Sequence, residues 1–294
     1  MAIGIDPLVD FAAKRLLGST EHSAITIHFL NAILGFDNPI TQVEILNPIN
    51  LKDFDADKLS VLDIKAIDAV ARRYNIEVQT TRPLGLPKRL TYYAAKMLVE
   101  QLGEGDQYAD LNPSISICLL DSILFRDEQR LQHAFGLRTA NGLSLTDCLQ
   151  VHLFELPKYV IPSDNVAIGE PVEQWLYFFR RAADCTPEEL ADRLPDPVFN
   201  EAAGVLQMIA RNPEERRLYD DRLKVERDQW ARAEQAKLEG KLEGKLEERI
   251  RTVKMLRDIV GELAPSDEQL ADLSLDEFAA IETELQRRLR DRTG

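Results

Sequence analysis

The sequence predicts an α/β core, a mixed sheet flanked by helices, followed by an all-helical C-terminal extension. Three observations favour this fold class. Helical and strand-like periodicities alternate along residues 1–160. The nearly all-apolar segment 114–120 is typical of a central buried strand. From about Glu170 onward, the apolar residues recur only at helical spacing.

The first predicted element is a short amphipathic helix. Asp6 and Pro7 are typical of an N-cap followed by proline at the first helical position, and Gly18 is typical of the end. Asp10 and Lys14 lie four residues apart on the polar face. This spacing is typical of a simple surface ion pair.

Three further segments lead toward the middle of the core. A second helix is predicted over 21–34, with Gly35 as its end signal. An edge strand is predicted over 41–46, and 47–58 is predicted to be a polar, aspartate-rich loop.

Two strand-like segments come next, and they are predicted to form a hairpin. Apolar residues at 62, 64 and 66 and at 74, 76 and 78 alternate with more polar ones. If the link from Asp68 to Arg73 turns the chain symmetrically about Val70, residues whose numbers sum to 140 face each other. Asp63 then lies opposite Glu77, on the same face of the sheet as Lys65 and Gln79.

Two facing carboxylates need compensation. At about 5 Å and an effective dielectric constant near 20, they repel each other by roughly 3 kcal/mol. A divalent cation compensates for this, since Mg²⁺ prefers one or two carboxylates together with water and phosphate. Two plainer interpretations stay open: Lys65 or Arg73 neutralises the acids, or the acids form a solvated sheet face.

A helix is predicted from the Pro83–Pro87 region to about Leu102. One stripe of this helix is apolar and is expected to pack on the core. A second stripe carries basic and aromatic residues, namely Lys88, Arg89, Tyr92, Tyr93 and Lys96. One interpretation is a surface that holds a DNA backbone beside the acids. The other is an ordinary amphipathic helix with tyrosines at the rim of the core.

The remaining elements are two strands, 114–120 and 150–155, and then helices. Residues 211 onward are predicted to form a long charged helix that contains the KLEG repeat, 237–248. This repeat is interpreted as a solvated helix or as a self-pairing arm that makes a homo-oligomer. Residues 265–290 are predicted to be a small helical hairpin with caps at Ser266 and Ser274.

These patterns divide the chain into four predicted parts. They are a core (1–160), a packed helical extension (161–220), a charged arm (221–262) and a terminal helical hairpin (263–294).

Composition argues against several classes of protein, including nucleic-acid-coating, membrane-spanning and secreted proteins. The net charge of −14 argues against a general nucleic-acid-coating protein, and the acid excess lies mainly after residue 160. No apolar run approaches a membrane span, and the start of the chain lacks a signal-peptide pattern, so the cytoplasm is the expected location. The three cysteines and four histidines show no spacing typical of a metal site and are interpreted as structural.

A family resemblance bears on these alternatives. In order along the chain come Asp63, the run Asn75-Ile76-Glu77-Val78-Gln79, Lys88-Arg89 and Tyr92-Tyr93. This order and spacing resembles the Rpn branch of the PD-(D/E)XK nucleases, the recombination-promoting nucleases that are also labelled transposases. The Glu155 to Lys158 run resembles an E-L-x-K segment of the same branch, and both of these residues are interpreted as structural.

The resemblance implies a restriction-endonuclease-like core and a metal-dependent DNA endonuclease that acts on phosphodiester bonds. Asp63, Glu77 and Gln79 would be catalytic. Asp63 and Glu77 would bind Mg²⁺, for which Mn²⁺ can substitute, with the Val78 carbonyl as a further candidate ligand. Asp10, on a helix where the family has D-x-x-F-K, would be a third metal ligand. The DNA contacts would come from Arg89, Tyr93, Lys88 and Lys96.

Gln79 departs from the lysine of the wider superfamily, although E-x-Q is usual within this branch. A lysine can polarise water or offset charge, whereas a glutamine amide can only orient by hydrogen bonds. Lys65 is a candidate for the missing positive charge. Two rival functions therefore stay open: a weak or inactive nuclease-fold scaffold that acts through its helical arm, and a transposase that joins strands.

Overall fold

The computed structural model describes residues 1–48, 63–80, 85–163, 166–263, 265–266, 270 and 273–293. The chain forms two compact units, Met1–Glu226 and Arg227–Gly294. The finer division into four parts stays a prediction. Within the described residues, no helix is both long enough and apolar enough to cross a membrane. The predicted polar loop from 49, the strand start up to 62 and the proline-rich residues 81–84 lie outside the described residues.

The first unit is built on a six-stranded mixed sheet with the strand order β1-β2-β3-β4-β6-β5. The strands are β1 Val43–Ile45, β2 Ile64–Asp68, β3 Arg73–Gln79, β4 Ser114–Leu120, β5 Gln132–Arg138 and β6 Ser144–Glu155. Strands β3, β4 and β6 run parallel, and the other neighbours are antiparallel. The predicted fold class, a mixed sheet with flanking helices and a helical C-terminal region, is confirmed.

The β2–β3 hairpin has the predicted register, in which Ile64 pairs with Ile76 and Lys65 with Asn75. Its turn is fixed by Asp68, whose Oδ1 accepts the backbone N–H groups of residues 70 and 72 at 3.1 and 2.9 Å. Asp68 Oδ2 accepts the buried Tyr74 hydroxyl at 2.7 Å. Because the turn is pinned by one side chain, a one-residue slip would break all of these bonds.

Helices cover both faces of the sheet. The helices of the first unit are α1 Asp10–Leu17, α2 Ser23–Leu34, α3 Leu86–Val99, α4 Pro171–Arg181, α5 Pro187–Arg193 and α6 Val198–Arg211. Helix α7, Pro213–Val260, begins in the first unit and continues into the second. Helices α1, α2, α4 and α6 share one large core with the Tyr74 and Ile76 face of β3. Helix α3 packs through Leu86, Leu90 and Ala94 on the opposite face, against Cys118 and Leu120 of β4. The Asn75 and Glu77 face of β3 therefore lies on the α3 side of the sheet.

The second unit, which begins within α7, is a helical pair. Residues of the last turns of α7 pack against α8, Leu275–Thr293, through a cluster that comprises Val253, Leu256, Val260, Leu270, Phe278 and Leu285. Ser274 and Glu277 form the predicted cap of α8, whereas the predicted cap at Ser266 adjoins residues outside the described set. Helix α8 thus packs against the end of α7 and against Leu270. Most of the first half of the predicted hairpin lies outside the described residues, so the hairpin stays a prediction.

Several predicted boundaries were wrong for identifiable reasons. Helix α1 begins at Asp10 because Asp6 Oδ1 accepts the N–H of Leu8 and holds a turn before it. Helix α3 ends at Val99 and not at Leu102. Strand β5 was missed because it is an exposed edge strand, interrupted by Gly136, without a clean alternation.

Candidate active site

Asp63 and Glu77 are brought together by the hairpin. Asp63 lies one residue before β2, so the register that pairs Ile64 with Ile76 places it opposite Glu77. Burial raises the pKa of Glu77, and the Asp63 charge adds to that rise, as expected for neighbouring carboxylates. The Asp63 carboxylate has Lys65 beside it, whose Nζ lies 4.0 Å from Oδ2 and whose side chain is partly exposed.

The backbone of Asp63 is held by two side chains from other elements. Its carbonyl oxygen accepts hydrogen bonds from Lys14 Nζ at 2.8 Å and from Asn47 Nδ2 at 2.9 Å. Asn47 Oδ1 in turn accepts the N–H of Lys65 at 2.7 Å. Burial lowers the pKa of Lys14 to about 8, although the Asp63 carboxylate opposes this shift. Because these bonds use the carbonyl, they orient Asp63 without consuming its carboxylate.

Glu77 is buried on the α3 side of the sheet. Its Oε2 accepts a hydrogen bond from Arg89 Nη2 at 3.2 Å. Its Oε1 has no hydrogen-bond partner among the described residues. Burial raises the pKa of this carboxyl, and the Arg89 guanidinium opposes that rise. A buried carboxylate with one unused oxygen, beside a second acid, favours cation binding.

Asp10 does not pair with Lys14, so the predicted surface ion pair was wrong. Arg222 of α7 binds Asp10, with Nε 3.0 and 3.1 Å from its two carboxylate oxygens and Nη2 also in contact with Oδ2. The Arg222 side chain is buried. A role for Asp10 as a metal ligand stays a prediction, and it would require Arg222 to release the carboxylate.

Glu226 of α7 joins the same region. Its Oε1 accepts the Asp10 N–H at 3.2 Å, and its Oε2 accepts the hydroxyl of Thr80, the residue after Gln79, at 3.3 Å. Burial and, next, the Asp10 charge raise the pKa of Glu226 to about 7. The first unit therefore ties α7 both to α1 and to the end of β3.

A pH-dependent stability effect follows for Glu226. A carboxyl whose pKa is raised on folding favours the folded state while protonated, so it weakens stability increasingly from about pH 4.3 to 7. We expect Glu226→Gln to raise the free energy of unfolding by at most about 3 kcal/mol at pH 8 and to leave it little changed at pH 4. Thermal unfolding at both pH values measures this. The matched control is Glu243→Gln, an exposed position on α7, and a lower melting temperature for Glu226→Gln at pH 8 would contradict the expectation.

The predicted DNA-binding residues of α3 divide into two groups. Lys88 and Lys96 are exposed, and Lys96 Nζ lies 3.7 Å from Glu100 of the next turn. Arg89 instead points toward the acids, and its guanidinium lies 5.9 Å from the centre of the Tyr93 ring. Arg89 thus connects the α3 surface to Glu77, and Gln79 lies half-buried at the end of β3.

The donor set suits a divalent cation such as Mg²⁺. Asp63 and Glu77 offer two carboxylates, and Glu77 keeps one unpartnered oxygen within the described part of the chain. No group of three His, Cys, Asp or Glu side chains that could hold a metal occurs among the described residues. Asp63 and Glu77 thus offer two acidic donors, one fewer than such a group.

Comparison with known families identifies the family of the chain. A family model described as PD-(D/E)XK nuclease family transposase matches residues 7–236. The chain belongs to this PD-(D/E)XK nuclease family. No curated protein and no solved structure gives a significant match.

Membership in the PD-(D/E)XK nuclease family supports a nuclease-type function with DNA as the bound polymer. Nucleases of this family generally use divalent metal ions. The matched region contains the whole hairpin, helix α3 and the part of α7 that carries Arg222 and Glu226. The family and the nuclease fold inferred from the motifs are thus confirmed, whereas the individual site residues stay predictions.

Sequence reasoning missed three residues that shape this PD-(D/E)XK site. Lys14 was assigned to the surface, yet it is buried and binds the Asp63 carbonyl. Asn47 was predicted only to lie in a loop, although it binds the Asp63 carbonyl. Arg222 was predicted only to lie on a charged helix, although it binds Asp10. The lysine of the D-x-x-F-K pattern was the available signal for Lys14, because a charge kept on a mostly apolar helix needs a partner.

Proposed function

We propose that the protein is a divalent-metal-dependent DNA endonuclease that hydrolyses phosphodiester bonds. The observation that supports this most directly is the buried Glu77, which faces Asp63 and keeps one carboxylate oxygen unpartnered among the described residues. Mg²⁺ is the proposed cation, and Mn²⁺ can substitute for it because both prefer oxygen ligands.

The residues take distinct roles in this proposal. Asp63 and Glu77 hold the cation, which supplies Lewis-acid stabilisation of charge on the phosphate and lowers the pKa of water. Gln79 orients the attacking water through its amide. Asp10 is left outside the proposed ligand set because Arg222 binds its carboxylate.

Helix α3 holds the DNA in this proposal. Lys88 and Lys96 are exposed and contact the phosphate backbone as point charges. Tyr93 is half-buried beside Arg89, and its ring orients the guanidinium. Arg89 reaches both Glu77 and the helix surface, so it positions a phosphate next to the acids.

Cleavage of supercoiled plasmid tests the proposal. We expect nicking with Mg²⁺ or Mn²⁺, none with a chelator, and a reduction of about 10²-fold or more in Asp63→Asn, because one charge that holds the cation is lost. A labelled oligonucleotide in the same reaction separates hydrolysed ends from joined strands. Metal-independent nicking, or full activity in Asp63→Asn, would contradict the site assignment.

A second candidate function, a nuclease-fold scaffold without catalysis, has three observations in its favour. Arg89 forms an ion pair with Glu77, so this acid has a counter-charge without a metal. Gln79 stands where the superfamily has a catalytic lysine. Both features are compatible with a nuclease fold that has no catalytic activity. In the second unit, Leu238 and Leu242 of the KLEG repeat are exposed, which suits an arm that pairs with another copy. Calorimetric titration with Mg²⁺ discriminates the two candidates, because a scaffold has no need to bind the cation.

A further inference from the structure

Asn75 is a buried polar residue that no hydrogen bond accounts for. It is 1 % exposed, and neither its Oδ1 nor its Nδ2 has a hydrogen-bond partner among the described residues. Buried polar atoms are nearly always paired, because an unpaired one loses its bonds to water and gains nothing in return. An amide with both ends unpaired on a central strand therefore calls for a specific explanation.

The position of Asn75 connects it to the acid pair. It lies two residues before Glu77 on β3, so both side chains point to the α3 face of the sheet. Its neighbour across one ladder is Lys65, and its neighbour across the other is Ser116. The Ser116 hydroxyl is also buried without a partner within the described residues. Asn75, Ser116 and Glu77 thus form one row of buried polar groups beneath α3.

All of these unpaired polar atoms would have partners if a cation were bound beside them. Asn75 Nδ2 and Ser116 Oγ make no hydrogen bond in this structure. A change of side-chain rotamer would let Nδ2 donate to Oγ, because paired positions on neighbouring strands lie about 4.8 Å apart. This leaves Asn75 Oδ1 and Glu77 Oε1 as two free oxygens on one strand face. Same-face neighbours start about 6.6 Å apart, and two oxygens that share a Mg²⁺ are at most about 4.2 Å apart. The Asn75 and Glu77 side chains are long enough to bring their oxygens from the first distance to the second.

We propose that Asn75 Oδ1 is the third oxygen donor for the divalent cation held by Asp63 and Glu77. This inference rests on the proposed metal-dependent function and extends its ligand set. Amide oxygens are ordinary ligands for Mg²⁺ and Mn²⁺. A neutral donor also adds a ligand without bringing a third buried carboxylate beside Asp63 and Glu77. It takes the place predicted for Asp10, whose carboxylate binds Arg222.

The test measures Mn²⁺ affinity of the full chain by calorimetry. Asn75→Leu keeps the size of the side chain and removes its oxygen. We expect it to weaken Mn²⁺ binding by about 10–100-fold. Its melting temperature without metal should be unchanged or higher, because an unpaired amide is replaced by an apolar group. A residue with a merely structural role would lose stability without a specific loss of Mn²⁺ affinity.

Two further variants make the result decisive. Asn75→Asp keeps an oxygen donor and should bind Mn²⁺ at least as tightly as the wild type. Ser116→Ala is the matched control in the same buried row, and its effect on Mn²⁺ affinity should be much smaller than that of Asn75→Leu. Asn75→Leu with wild-type affinity, or Asn75→Asp with lost affinity, would overturn the Asn75 assignment alone. A wild-type protein that binds no Mn²⁺ would overturn the proposed function itself.

Discussion

Glu77→Gln is expected to lower metal-dependent cleavage by about 10²–10³-fold, equivalent to about 3–4 kcal/mol of lost transition-state stabilisation. The amide has nearly the shape of the carboxylate and still offers an oxygen to Arg89, so the fold should survive. The negative charge that attracts the cation is lost, and Mn²⁺ affinity should fall with the activity. Plasmid nicking and calorimetry on the same preparation measure both effects.

The control for this variant is Glu173→Gln, the same chemical change at an exposed position on α4. It should leave both nicking and Mn²⁺ affinity unchanged. Because burial raises the pKa of Glu77, this carboxyl takes up a proton at a higher pH than an ordinary glutamate. Wild-type activity at fixed metal concentration should therefore fall as the pH is lowered. A folded Glu77→Gln protein with wild-type nicking would remove Glu77 from the site.

Glu155→Ala is expected to cause the largest loss of stability, about 3–5 kcal/mol. The Glu155 carboxylate is fully buried and accepts hydrogen bonds from the N–H of Phe125 at 2.9 Å, Lys158 Nζ at 2.5 Å and His133 Nε2 at 3.2 Å. The N–H of Leu124 contacts it as well. Its removal leaves the half-buried Lys158 ammonium without its counter-charge. The structural role of Glu155 and Lys158 stays a prediction, which this variant tests.

Chemical denaturation at pH 7 measures this loss, with Glu104→Ala, an exposed loop position, as the control. Burial of Glu155 acts to raise its pKa, but the hydrogen bonds from Lys158 and the two backbone N–H groups outweigh it and lower the pKa overall. A depressed carboxyl pKa contributes stability above the unfolded value, about 4.3, and this contribution is lost as the pH falls through the folded value. The difference between Glu155→Ala and wild type should therefore shrink below about pH 4. An unchanged denaturation midpoint at pH 7 would show that the cluster stabilises nothing.

The sequence by itself determined the hairpin and the pairing of its acids. Strand periodicity and a turn centred on Val70 are local properties, and together they fix which residues face each other. For this reason the rule that paired numbers sum to 140 holds for the observed register, for example for Lys65 and Asn75. The mostly apolar strand β4 and the long helix α7 followed from local patterns in the same way.

Only the tertiary structure decided which charges are paired and which polar groups are buried. Asp10 and Arg222 are 212 residues apart, and Lys14 reaches the Asp63 carbonyl across 49 residues. Periodicity shows which face of an element a residue occupies, but not which distant element covers that face. Asn75 illustrates the limit: its strand position was readable from the sequence, whereas its burial depends on how α3 packs on the sheet. A buried polar atom needs a partner only after packing has removed water, so these requirements emerge with the fold.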